Sequence, residues 1–513
     1  KMAHSFGCLS HASAFINPPA RAPSLFTTTA QANWVVDRCS PVFDISRPRH
    51  FMKKGAEEEN EVDDNKTIDV QGWLGTRVKE DRIAYKDYDD KLVERLFSNL
   101  EESESGGFQR KEGSVLGATA LVAGTTVGAG VLALPAATAS TGVIPSSIIL
   151  LGMWAYMVAS GLLLAETNLN LVVREGRVNL GLLAVAERTL GRAGGRAAGA
   201  AYLFIHYCLL VAYLAQGGAL LADLLLPGQQ SLPEYLGPVG FCAIFGGLLA
   251  FGSEALIEFV NNVFVAIVIT SFLGLLVLAT PGIEISRLFV EDWSAAPGVV
   301  PVTFVALVFH NVVPVIVTQL EADRAKIRQA VLVGSALPLG MFLAWNAVVL
   351  GSTDTAAAAA VGGVPVDPLA TLRAGSSGAI VGEAVSIFSL FAIITSFFGF
   401  VLGLLDFFTD VFEYKERDRA KEFPLYGLIL LPPLGVACTN PSIFFEALDK
   451  AGTYGISVLF GIIPAAMAWV QRYNDNEPVA TSPMVPGGKV SLTFMIAFAS
   501  AVIVQQGLFG GGH

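Results

Sequence analysis

Leu116-Gly-Ala-Thr-Ala-Leu-Val-Ala-Gly-Thr-Thr-Val-Gly-Ala-Gly-Val-Leu-Ala-Leu-Pro135 decides how the rest of this chain is read. From Gly113 to Gly142 the sequence is apolar and uncharged, longer than the roughly 20 residues that a bilayer-spanning helix needs. Yet Gly124, Thr125, Thr126, Gly128, Gly130 and Pro135 weaken a helix in its middle. Lipid penalises unpaired backbone groups, so a broken helix at membrane depth persists only where it faces protein or lines a polar cavity. Freed amides and carbonyls are what such a break offers to a small zwitterion or an ion. The stretch reads as the discontinuous helix of a transporter.

Composition agrees. The chain has 513 residues, 53% hydrophobic and 15% charged, too apolar for an ordinary soluble protein. Cys8, Cys39, Cys208, Cys242 and Cys438 are scattered without metal or disulfide spacing. The net charge of −11 is uneven, because residues 55–109 hold 16 acids against 7 bases. Residues 1–52 carry two acids, Asp37 and Asp44, with Arg21, Arg38, Arg47, Arg49 and many Ser, Thr and Ala. That composition predicts a plastid transit peptide, and Pro18, Pro19 and Pro23 argue against a mitochondrial-type amphipathic helix. Residues 53–114 read as an acidic soluble segment. Within it Tyr85, Tyr88, Leu92, Leu96 and Leu100 follow helical spacing and predict one short amphipathic helix.

The transmembrane domain is expected over 115–509. Apolar stretches fall near 115–142, 145–172, 199–225, 236–252, 262–280, 299–320, 329–352, 379–410, 423–438, 454–472 and 489–509, which makes eleven spans, the fourth and ninth short. Loop charge tests this count. On the side of the prefix lie Arg110, Lys111, Arg174, Arg177, Arg188, Arg192, Arg196, Arg324, Lys326, Arg328, Lys415, Arg417, Arg419, Lys421, Arg472 and Lys489, sixteen in all, against Arg287, Arg373 and Lys450 opposite. This asymmetry places the N-terminus inside, on the stromal side of a chloroplast membrane, with the inner envelope as the expected location.

Span 6 is interrupted as well: Phe304-Val-Ala-Leu-Val-Phe-His310-Asn311-Val-Val-Pro314 sets an imidazole, an amide and a proline inside an apolar run. Spans 1 and 6 are five apart. If spans 1–5 and 6–10 are repeats, the odd number of crossings forces the second to be inverted. Discontinuous helices at corresponding positions of two halves point to a binding site between them.

Four stretches carry a resemblance to a known family. They are Gly124-Thr-Thr-Val-Gly-Ala-Gly-Val-Leu-Ala-Leu-Pro135, Leu162-Leu-Leu-Ala-Glu166-Thr-Asn168, the Phe309-His310…Pro314 break, and Thr395-Ser396 through Asp406 to Asp410. Together they resemble the aromatic amino acid permease family, the tyrosine and tryptophan permeases of the amino acid–polyamine–organocation superfamily, over about 115–509. The resemblance implies an all-α polytopic membrane protein with a five-plus-five inverted repeat of leucine-transporter type plus one C-terminal helix, and amino acid symport. One departure is that Asn311 and Val312 follow His310, where the family usually has small residues.

An amino acid must have both charges satisfied when it leaves water. Amides at a half-helix N-terminus suit its carboxylate, so the backbone of Val127, Gly128, Ala129 and Gly130 is the expected carboxylate site. Carbonyls near Gly124 and Thr125, and those preceding His310, suit the ammonium. Phe309 is either a wall for the side chain or a lipid-facing or core aromatic, and Asn311 completes the substrate-binding set. His310 is the coupling candidate, because imidazole exchanges a proton near neutral pH. Thr395 and Ser396 either complete a sodium site facing span 1 or hydrogen-bond within and between helices. His206 reads as a packing residue. Glu166, Asp406 and Asp410 read as solvated end residues or as inner-gate partners of nearby Arg and Lys.

No phosphate-binding loop, nucleophile–base pair or metal-ligand spacing occurs. No enzymatic activity, cofactor, metal or nucleic acid is therefore expected. The expected partners are an amino acid, a coupling ion (a proton rather than sodium) and the lipid bilayer. The expected function is secondary active, proton-coupled symport of aromatic or other hydrophobic amino acids across a plastid membrane. The alternatives are a transporter of a different small metabolite on the same fold, or a non-transporting structural subunit of a membrane complex.

Overall fold

The computed structural model describes residues 100–102, 108–110, 113–128, 130–175, 180–225, 233–353, 368–373, 378–412, 419–474 and 482–509. Among these, nine helices are long and apolar enough to cross a membrane, one bent pair makes a further span, and one shorter apolar helix, Leu236–Phe251, completes eleven. The eleven are span 1 (Val115–Thr126 and Gly130–Thr138), span 2 (Val143–Glu175), span 3 (Leu182–Leu225) and span 4 (Leu236–Phe251). Span 5 (Glu254–Ala279), span 6 (Ala296–Ala306 to Val313–Gln319), span 7 (Arg324–Ser352) and span 8 (Ala379–Val411) follow. Span 9 is Arg419–Thr439, span 10 runs from Phe444 to Asn474, and span 11 is Gly488–Phe509.

Every expected span is present, and the boundaries move where polar residues had masked a helix. Ser253 caps span 5 by accepting from the Leu256 amide at 3.3 Å, so the helix starts eight residues before the apolar run that begins at 262. Span 3 likewise starts at Leu182, and Gly191 breaks it with φ 73°, a left-handed value that glycine adopts without strain. Two three-residue strands, Leu100–Glu102 and Phe108–Arg110, pair antiparallel ahead of span 1. Leu100, assigned on spacing to an amphipathic helix, is in the first of them. The other residues of that expected helix, and residues 1–52 read as a transit peptide, lie outside the described residues.

Prolines inside the spans explain much of the cross-helix bonding. A proline has no amide to give the preceding turn, and in lipid the freed carbonyl must find another donor. Pro135 releases the Val131 carbonyl, and the Trp345 indole of span 7 donates to it at 3.2 Å. Pro432 releases Leu428, whose carbonyl accepts from Tyr207 of span 3 at 2.9 Å. Near Pro464, the Phe460 carbonyl accepts from Ser160 of span 2. A second device is close backbone approach. A methyl added at Gly334 would stand 2.6 Å from Val122, and one at Gly218 would stand 2.3 Å from Pro238. These glycines let span 7 lie on span 1 and span 3 cross span 4.

Candidate functional site

The first half of span 1 begins at Ser114, whose hydroxyl accepts from the Gly117 amide at 3.2 Å. Its last ladder bond runs from the Val127 amide to Ala123 at 3.1 Å. Val127 then turns extended, with φ −78° and ψ 97°. The carbonyls of Gly124, Thr125 and Thr126 thus lie past the end of this ladder. The chain re-enters helix at Gly130, with the Val131 amide on the Gly128 carbonyl at 3.2 Å and a bend of 54° between the two halves. The hydroxyls of Thr125 and Thr126 fold back onto Leu121 and Val122 at 2.6 and 2.8 Å. What these two residues present at the break is therefore backbone rather than hydroxyl donors. Ala129 lies outside the described residues.

Span 6 stops at Ala306, passes Leu307 and Phe309 in non-helical geometry, makes one tight turn over His310–Val312, and resumes at Val313. The two interruptions meet. A methyl on Gly130 would lie 2.9 Å from the Ala306 Cα and 3.3 Å from its nitrogen, so backbone rests on backbone there. On its other neighbour, Gly128 approaches the Ser396 hydroxyl of span 8, to which an added methyl would be 3.2 Å. Ser396 is also hydrogen-bonded with Tyr213 of span 3. Thr395 donates back to its own helix, at 3.0 Å to Phe391, leaving its oxygen lone pairs as the group it can offer. Gly124, Thr125, Val127, Gly128, Thr395 and Ser396 are all half-buried, whereas Gly130 is buried. Breaks from spans 1 and 6 and hydroxyls from spans 3 and 8 therefore share one locus.

Phe309 and His310 are oriented toward other spans. The Phe309 ring is 1% exposed and packs on span 2 at Gly161, where a methyl would be 2.6 Å from it. His310 is fully buried between the rings of Phe309 at 4.8 Å and Phe460 of span 10 at 4.7 Å. Neither of its ring nitrogens has a hydrogen-bond partner among the described residues. Asn311 is exposed. His206 is held by the Tyr202 carbonyl at 2.8 Å and lies against the Tyr202 ring at 3.9 Å.

At the Arg324 end of the bundle, Glu166 is no solvated end residue. Its carboxylate and the Arg472 guanidinium form two 2.6 Å bonds with side chains 1% and 4% exposed, and the Met484 amide adds a third at 2.7 Å. Beside it, Asn170 donates to Gln471 at 2.9 Å and Gln471 donates to the Thr167 carbonyl at 3.1 Å. Asp406 is half-buried and Asp410 exposed. Tyr213 and Trp345 were not among the expected site residues. Their only sequence signal is a polar aromatic inside an apolar run, which demands a partner without naming it.

The comparisons with known proteins bear on the family and the fold. The family model described as tryptophan/tyrosine permease family matches residues 111–506. Tyrosine-specific transport system 1 of Haemophilus influenzae is 29% identical over 76% of this chain and 95% of its own length. The tryptophan-specific transport protein of the same organism is 27% identical over 78% of this chain and 96% of its own. A crystal structure of MhsT in complex with L-phenylalanine superposes with a TM-score of 0.50 at 17% identity, covering 78% of this chain and 99% of that one. That last likeness concerns the fold alone.

Proposed function

This chain belongs to the tryptophan/tyrosine permease family, and from that premise we propose that it is a secondary active, proton-coupled symporter of aromatic or other hydrophobic amino acids in a plastid membrane. The observation that carries the proposal is the meeting of the two interrupted helices, with the backbone of Gly130 against Ala306 and Gly128 beside Ser396. The substrate carboxylate is taken by amides at the start of the second half of span 1, at Gly128 and Gly130, where the missing side chains allow close approach; the Val127 amide, expected to join them, is already bonded to the Ala123 carbonyl at 3.1 Å. The ammonium is taken by the carbonyls of Gly124 and Thr125 and by those preceding His310. Transport then consists of opening this locus to one side and then the other, the spans of one repeat moving against those of the other.

The proton reading rests chiefly on the family resemblance and secondly on His310, a titratable ring held at the break without a hydrogen-bond partner among the described residues. Ser396 sets its hydroxyl against Gly128 of span 1, while Thr395 spends its proton within span 8. The plastid membrane, with the N-terminus on the stromal side, is supported by the Ser-, Ala- and Arg-rich residues 1–52 and by the bias of basic loops to one side. The names of the relatives support tyrosine and tryptophan as first substrates to test.

The test is uptake into proteoliposomes driven by an imposed pH gradient in sodium-free buffer, with tyrosine, tryptophan, phenylalanine, leucine and an organic acid as competitors. Saturable uptake inhibited by the aromatic amino acids is expected. Strict sodium dependence that is lost in Thr395→Ala and Ser396→Ala would replace the proton by sodium. Absence of saturable uptake under any gradient would leave a structural subunit as the function.

A further inference from the structure

Spans 10 and 11 enclose an apolar groove of about 440 Å³ lined by Ala466, Trp469, Val470, Thr493, Ile496 and Ala497. Two of these are alanines, and small side chains leave a hollow between helices that otherwise pack closely. Thr493 and Ala497 are exposed, so the groove opens on the outer surface of the bundle. Its lining is almost wholly hydrocarbon. An amino acid in it would lose solvation at both charges with nothing to replace it, which separates this groove from the transport site.

One end of the groove carries a charge. Lys489 lies one helical turn before Thr493, with its ammonium 5.8 Å from the centre of the Trp469 ring and 5.0 Å from that of Tyr473. The two rings meet edge to face at 5.6 Å, so Trp469 belongs both to the groove and to the seat of the cation. Among the described residues no carboxylate pairs with Lys489. The position is the Arg472 end of span 10, where polar loop begins, and a tryptophan, a tyrosine and a lysine grouped there mark the level of lipid headgroups. A cation at that level above a hydrocarbon slot is complementary to one kind of molecule, an acyl chain that carries a negative head.

We propose that the groove between spans 10 and 11 binds an anionic phospholipid, with one acyl chain between Ala466, Ile496 and Ala497 and the phosphate on Lys489. The site is distinct from the locus at Gly128 and Gly130 and does not depend on which amino acid is carried. Its occupancy ties span 11, outside the two five-helix repeats, to span 10 within them.

Native mass spectrometry of the full chain in detergent, incubated with phosphatidylglycerol or phosphatidylcholine, tests this. Wild-type protein is expected to retain phosphatidylglycerol about fivefold over phosphatidylcholine, the factor that one basic residue at the headgroup level supplies. Lys489→Gln should erase that preference, Lys489→Arg should keep it, and Ala497→Phe, which fills the slot, should lower retention of both lipids. A second measurement does not need the lysine variants. Brominated phosphatidylglycerol should quench tryptophan fluorescence of the wild type more than brominated phosphatidylcholine does, and the difference should vanish in Trp469→Phe. Equal retention of the two lipids by the wild type, or quenching unchanged in Trp469→Phe, would overturn the proposal. So would occupation of the face by a second copy of the chain in place of lipid.

Discussion

Gly128 and Gly130 sit two positions apart, yet the structure gives them different tolerances. Gly130 faces the backbone of Ala306 at 2.9 Å, where nothing can yield, whereas Gly128 faces the movable hydroxyl of Ser396 at 3.2 Å. Gly130→Ala should therefore lower uptake at least about tenfold, a factor equivalent to about 1.4 kcal/mol, while Gly128→Ala keeps most of it and Gly128→Val does not. Initial rates of uptake at matched protein density measure this, and equal activity of both alanine variants would reduce the breaks to packing features. His310 admits a sharper test than its spacing alone allowed. Because the ring lies between two phenylalanines and makes no hydrogen bond among the described residues, His310→Phe keeps the ring stacking, adds one ring atom to a packed site and should cost about 1–3 kcal/mol of stability. Accumulation driven by a pH gradient should nevertheless vanish, while exchange of substrate across the membrane persists. Full accumulation in His310→Phe would show that the imidazole only fills space.

At the scale of the helix, the bond from Trp345 to the Val131 carbonyl answers a vacancy that Pro135 creates. Trp345→Phe removes the donor and leaves a buried carbonyl unsatisfied, which costs about 1–3 kcal/mol. Thermal melting of the purified protein should fall accordingly. Restoring an amide with Pro135→Ala in the same chain should recover part of the loss, since Val131 can then bond within its own helix. Additive destabilisation by the two substitutions would mean that proline and indole are unrelated. A neighbouring network follows the same logic. The Asn346 side chain of span 7 accepts from Thr138 at 2.6 Å and donates to Ser146 at 2.9 Å, tying spans 1, 2 and 7 together around one amide.

For the whole molecule, the buried pair of Glu166 and Arg472 joins the end of span 2 to the end of span 10. Removing one partner of such a pair strands the other charge and typically costs about 3–5 kcal/mol, whereas replacing both by apolar residues is often tolerated. Glu166→Leu should melt well below the wild type, and Glu166→Leu with Arg472→Met should melt nearer to it. If the pair also closes this end of the transport path, the double variant should regain stability while its uptake kinetics stay altered. Wild-type kinetics in the stable double variant would restrict the pair to a structural role.

The eleven spans, their interruptions at Gly124–Gly130 and His310–Pro314, and the family were legible in the chain by itself. The bilayer demands long apolar runs and confines breaks to protected positions, so these features are written as local composition. Local composition does not record which neighbour answers a freed group. Tyr213 reaching Ser396, Trp345 serving Val131 and Arg472 meeting Glu166 join residues 183, 214 and 306 positions apart. Sequence spacing likewise left Glu166 open between a solvated end and a gate partner, and left Phe309 open between a wall for the substrate and a core aromatic, where the structure rests it on Gly161. The path of the backbone through the membrane is set by hydrophobicity summed along the chain. The pairing of its few polar atoms is set by distances across the bundle, which exist only once the helices are packed.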